Sequence, residues 1–208
     1  SSFVAESLNN HGTLVGISEL GLDVVDVYNG VYATMQSGDA LTVDSSYFSN
    51  NGIVLAAGSM QAATMDLENN GVLMANQLDF VGDDLNVVYN NGTIVAATDM
   101  TIAATDVRNS ASAYMQSGEG LAIQSEVLHN EGVLQAALGL SIQGTDIANS
   151  GVLLGDTIKL VGADDALFYH AGVIEGLSDV DIEVAQVLNL GVVQSYGQAT
   201  IQAEDLYN

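Results

Sequence analysis

Residues Asn90–Asn109 read NNGTIVAATDMTIAATDVRN. Apolar side chains fall on every second position, as in Ile94–Ala96 and Met100–Ile102–Ala104. A period of two is the signature of a strand with one buried face. The opening Asn-x-Gly supplies a turn, because Asn and Gly accept a left-handed backbone and Gly leaves room at a corner. The stretch therefore predicts strands separated by a corner, ending on a second asparagine.

That asparagine recurs along the chain, at Asn10, Asn29, Asn50, Asn69, Asn90, Asn109, Asn130, Asn149, Asn189 and Asn208, with His170 in the same place. The intervals alternate between 19 and 21 residues until a final 19, so the unit is a pair of coils 40 residues long. An echo at 80 is also present: Met35-Gln36-Ser37-Gly38 returns as Met115-Gln116-Ser117-Gly118, and Val81-Gly82-Asp83-Asp84 as Val161-Gly162-Ala163-Asp164.

Counting from each anchor gives apolar columns. Two residues before it stand Leu8, Val27, Phe48 and their equivalents; four after it, Leu14, Ala33, Val54, Leu73, Ile94 and Ala113; twelve after it, Leu22, Leu41, Ala62, Val81, Ile102 and Leu121. Two after it is glycine, except at Val31 and Ala111. A coil of about 20 residues cannot bury its own inner face, and stacking coils joins those faces into one core. The expected fold is an all-β, right-handed parallel β-helix (β-solenoid) of about ten coils, with residues 1–208 as a single array. At about 4.8 Å per coil it would form a rod of order 50 Å.

Composition agrees. There is no proline among 208 residues, as strands that donate to a neighbouring ladder require. There is no cysteine, so neither a disulfide framework nor a thiolate metal site. Two basic residues against 26 acidic ones give a formal charge of −24, which excludes nucleic-acid binding and disfavours anionic membranes. A hydrophobic fraction of 48% separates the chain from acidic disordered tails. No apolar run is long enough for a transmembrane helix. The chain lacks an initiator Met and starts partway through a coil, so it reads as a segment of a longer array or as a subunit that stacks end to end.

The anchor column is expected to form an asparagine ladder at an inner turn, with His170 standing in for the amide. His11 and His129 flank the anchors and are expected in solvent; three histidines in three coils make no compact ligand set. Acidic residues also form columns: Asp26, Asp66, Asp106 and Asp146, followed by Gln186, and separately Asp44, Asp84, Asp164 and Glu204, with Gln124 in the gap. These predict a solvated outer face that blocks lateral sheet pairing. No cofactor is expected; calcium is a weak candidate for the acidic columns, because neither a calcium-roll repeat nor an EF-hand loop occurs.

No catalytic set emerges. A lyase of acidic sugars needs basic groups, and Arg108 and Lys159 lie in different coils. A hydrolase needs paired carboxylates across a cleft, whereas Asp83-Asp84 and Asp164-Asp165 are neighbours expected to point to opposite faces. The reading is therefore not an enzyme.

The segments Asn90–Asn109 and Asn130–Asn149 resemble the repeats of filamentous haemagglutinin-type adhesins, in the pattern Asn-x-Gly-x-Ile/Leu-x-Ala, then Leu/Met-x-Ile-x-Ala, then Leu/Val-x-Asn. The resemblance covers nearly the whole chain and is clearest over 48–208. It implies a β-helical exoprotein of the two-partner secretion type, carried to the cell surface. The chain departs from the family in its regular 19/21 alternation and its scarcity of Lys and Arg, and no functional residue transfers. The expected function is a rod or shaft segment of a secreted adhesin or extracellular filament. Its expected partners are its own repeats, and host or cell-surface glycans or proteins that Tyr32, Tyr89, Tyr169 and Tyr207 could touch.

Overall fold

The computed structural model describes residues 1–81 and 85–208. The chain winds as a parallel β-solenoid of about 11 turns, and the described residues contain no helix. Ser2–Asn10 adds a part-coil before the first anchor, and Asp205–Tyr207 closes the stack as a rung on Gln186–Leu188. Neighbouring coils keep a register of about 19 residues, as in Leu121↔Leu140 and Asn130↔Asn149.

Each coil has three faces. The first follows the Asn-x-Gly turn and is a four-residue strand such as Val133–Ala136. The second and third share one longer strand, such as Gly139–Asn149, which bends in its middle and ends on the anchor. Inward side chains stack in columns. Phe48, Val88, Val107, Ile147 and Phe168 lie just before their anchors and are wholly buried. Each column continues the one below, so a single core runs through the stack.

Hydrogen-bonded register corrects two columns counted from the anchors. On the first face the inward residues are Leu14, Met35, Val54, Leu73, Ile94 and Met115; Ala33 and Ala113 do not belong. The reason is a turn two residues longer in those coils. Val31 and Tyr32 bulge outward, 63% and 97% exposed, and Ala33 takes the slot that glycine holds elsewhere. Ala113 repeats this 80 residues on, with its N–H on the Ser110 carbonyl as the Ala33 N–H is on Gly30. On the second face Val43, Phe80, Ile123 and Leu160 replace Leu41, Val81, Leu121 and Val161 in the Leu22 column.

The other 21-residue coils insert elsewhere. Gly144 pairs with Gly162 and Asp146 with Leu167, so Ala163–Ala166 stand opposite the single residue Thr145. The extra residues thus alternate between the anchor turn and the corner between second and third faces. This alternation is the origin of the 80-residue echo.

Candidate functional site

The most ordered polar feature is the anchor column. Asn29, Asn69, Asn90 and Asn109 are at most 1% exposed. Each Nδ2 donates to the Oδ1 of the next coil's asparagine: Asn10 to Asn29, Asn29 to Asn50 and Asn50 to Asn69, each at 2.8 Å, and so on to Asn149. The second amide hydrogen goes to a carbonyl of the next coil, from Asn29 to Ile53 at 3.2 Å and from Asn109 to Val133 at 3.1 Å. Where Oδ1 has a second partner it is a backbone N–H two residues on, as Gly52 to Asn50 at 3.2 Å. From Asn10 to Asn130 each amide therefore spends both hydrogens across a coil boundary, and all point the same way; below His170, Asn149 turns its second hydrogen to the Gly151 carbonyl of its own turn at 3.4 Å. Such chains polarise one another in a dry interior.

His170 occupies one rung, wholly buried. Asn149 Nδ2 donates to its Nδ1 at 3.1 Å, and its Nε2 lies 3.1 Å from the Val192 carbonyl. These partners assign a neutral ring with the proton on Nε2. The imidazole thus reproduces two of the amide's bonds, accepting from below and donating to a carbonyl above. It has no donor left for Asn189, whose own Nδ2 resumes the series toward Asn208 at 2.6 Å. The ring also stacks on Phe168, with centroids 5.7 Å apart.

The glycine two residues after the anchor serves close approach. No described residue has positive φ, so the left-handed turn expected from Asn-x-Gly does not form. A Cβ on Gly71, Gly92, Gly151 or Gly172 would instead overlap the carbonyl oxygen of the glycine one coil below. Gly12, with no coil beneath it, would meet nothing.

A second set of stitches lies at the corner between the first and second faces. Asp99 Oδ1 accepts the Gly120 N–H at 3.0 Å, Asp179 Oδ1 accepts Gln198 N–H at 2.8 Å, and Asp156 Oδ1 accepts the Ser178 hydroxyl at 2.7 Å. At the same corner Ser37 Oγ donates to the Ala40 carbonyl at 2.6 Å, while the equivalent Ser117 Oγ is buried without a partner. Asp99 and Asp179 each stand nine residues after an anchor and share one register column, while Asp156 lies one position earlier.

Of the two acidic columns read from sequence, one aligns. Asp26, Tyr47, Asp66, Val87, Asp106, Val127 and Asp146 follow one another coil by coil, so carboxylates alternate with larger, less polar side chains. The second column holds only in part. Asp44 and Gln124 share one strand position, through Ala63, Val81 and Ala103, whereas Asp164 falls in the inserted corner. Asp164 and Asp165 are both exposed, because the insertion breaks the strand alternation that would separate them. Asp83 and Asp84 lie outside the described residues. His11 is exposed and lies beside Tyr28, centroids 6.0 Å apart, whereas His129 is half-buried rather than free in solvent.

Around the aligned column lies a surface groove of about 430 Å³, lined by Tyr47, Asp66, Glu68, Tyr89, Asp106 and Arg108. The Tyr47 hydroxyl donates to the Glu68 carboxylate, which also accepts from Asn70 at 2.8 Å. Partial burial, then this bond to Glu68, pushes the Tyr47 phenol up; the same bond, then Asn70, holds Glu68 below the usual carboxylate range. Arg108 chelates Asp106, with a closest approach of 2.6 Å, in the one ion pair among the described residues. Among the described residues no group of three or more His, Asp and Glu side chains is placed to hold a metal ion.

No family model, no curated protein and no solved structure matches the chain.

Proposed function

We propose that this chain is a structural rod, a shaft segment of a secreted bacterial surface adhesin or extracellular filament. The observation that carries this reading is the hydrogen-bonded anchor column, continuous from Asn10 to His170 and resumed between Asn189 and Asn208. Its buried polar groups are spent on joining coil to coil, which is what a stiff spacer requires. The adhesin-like repeat pattern supports the same reading. Electron microscopy of the purified chain tests it. Stiff rods of about 50 Å, set by 4.8 Å per coil, are expected. Flexible or collapsed particles would overturn it. Rods that lengthen with concentration would favour the end-to-end filament subunit.

A second reading is carbohydrate binding in the Tyr47–Tyr89 groove, which offers two aromatic rings beside carboxylate acceptors. Binding to a neutral glycan array that Tyr89→Ala abolishes would support it, and an array without signal would remove it.

A further inference from the structure

The three faces carry charge unequally. On the first face the outward residues are the two columns headed by Thr13 and Val15. The first runs through Thr34, Ile53, Val72 and Thr93, the second through Gln36, Leu55, Met74 and Val95, and both continue to Val192 and Gln194. Over ten consecutive coils these columns hold a single ionisable carboxylate, Glu175, in a chain of formal charge −24. The outward columns of the third face, by contrast, carry Asp26, Asp66, Glu68, Asp106, Arg108 and Asp146. The uncharged face is not covered: Val15 is 50% exposed, Ile53 and Met74 43%, and Val192 54%.

We propose that this face is the interface of an antiparallel homodimer, in which two rods lie flank to flank. Three arguments select a second copy as the occupant. The first is electrostatic. Two chains this acidic can approach closely only where charge is absent, and this is the face from which it is absent. The second is area. Ten coils at about 4.8 Å and a four-residue strand of about 13 Å give roughly 600 Å² per copy, the lower bound for a specific interface.

The third is self-complementarity. A two-fold axis along the strand direction keeps each column facing its own counterpart and reverses the coil order. Ile53 then meets Val152, Leu55 meets Leu154, and the bulky Tyr114 meets the small Thr93. The lone Glu175 meets Gln36, whose amide can donate to it. Parallel pairing would instead press Glu175 of each copy against Val173, leaving two buried carboxylates without donors, which is costly. This surface lies along the flank, so the proposal does not depend on the shaft reading; a dimer doubles the width of a rod and not its length.

Sedimentation equilibrium of the 208-residue chain, from micromolar to sub-millimolar concentration, tests the proposal. A monomer–dimer equilibrium is expected. Leu55→Lys should weaken it by about tenfold or more, since the ammonium would be buried against Leu154. Gln36→Lys should tighten it several-fold at low salt, by pairing with Glu175 of the other copy. Within one chain those two positions are seven coils apart, roughly 34 Å, so this effect cannot be intramolecular. Both positions face solvent in the single rod, and circular dichroism of each variant checks its fold. A chain that stays monomeric throughout overturns the proposal. So does a dimer indifferent to Leu55→Lys, one weakened by Gln36→Lys, or assembly that grows beyond two copies.

Discussion

Two corners of the coil obey different rules. At the anchor corner each coil between Asn10 and His170 presents a ring or amide in the same place, bonded to the one in the coil before. At the corner between the second and third faces, the same fold accommodates one residue in one coil and four in the next. The difference lies in where the backbone and side chains find their hydrogen bonds. At the anchor they are buried and must be met by the adjacent coil, so every coil returns its anchor and the following carbonyl to the same place, even where exposed residues such as Val31 and Tyr32 lengthen the turn between them. At the other corner the inserted Ala163–Asp165 are exposed, and water meets them at any length.

The comparison can be broken first at the anchor. Gly92→Val should have the largest effect. Its branched side chain would have to occupy the Gly71 carbonyl, forcing the coils apart, and loss of cooperative thermal unfolding is the expected readout. Asn109→Ala should follow. It strands the Asn90 amide below and the Asn130 oxygen above, two buried groups worth about 1–3 kcal/mol each. A cost of about 2–5 kcal/mol in chemical denaturation is expected; a cost under about 1 kcal/mol would show that the column is ornamental.

Excising Val31-Tyr32 should do far less. The cut leaves Asn29-Gly30-Ala33-Thr34, the length of the Asn10-His11-Gly12-Thr13 turn, and removes only exposed residues. Stability within about 1 kcal/mol of the parent is expected, as for other exposed turns. The Ser37 and Ser117 pair gives a finer contrast. Ser37→Ala should cost about 1 kcal/mol for its lost hydrogen bonds, whereas Ser117→Ala should be neutral or stabilising, since its hydroxyl is buried unpaired.

The smallest effect belongs to the exposed third face. Glu68 is held below its ordinary range, so its contribution is present above that range and lost as pH falls through its folded value. Tyr47 is pushed up, so its contribution is present below the ordinary phenol value and lost as pH rises through the folded one. Solvent screens both groups, and Tyr47→Phe should flatten the two ends of the stability–pH profile slightly.

The same contrast explains what was legible in the sequence. Strand alternation and the anchor period are imposed by burial, so the solenoid, its parallel stacking and the rung at His170 could be counted directly. The Met35 and Phe80 columns could not, because spacing from the anchor does not say at which corner two additional residues are spent. Asp99, Asp156 and Asp179 were hidden for another reason: their partners lie one coil on, and spacing alone does not mark a carboxylate as a backbone or hydroxyl acceptor. Glycine after the anchor was legible as a requirement, but its cause is the carbonyl of the coil beneath rather than a left-handed turn.

Coils bond only to the coil before and the coil after, at sequence separations near 20 residues. The chain's topology is therefore local despite being wholly parallel sheet, and the loop-closure entropy of each addition is the same small cost at any position along the rod. Once a few coils exist, each further coil needs only its own twenty residues and a finished edge to grow on. A chain emerging gradually from one end can thus acquire structure in order, without waiting for residues that have yet to arrive.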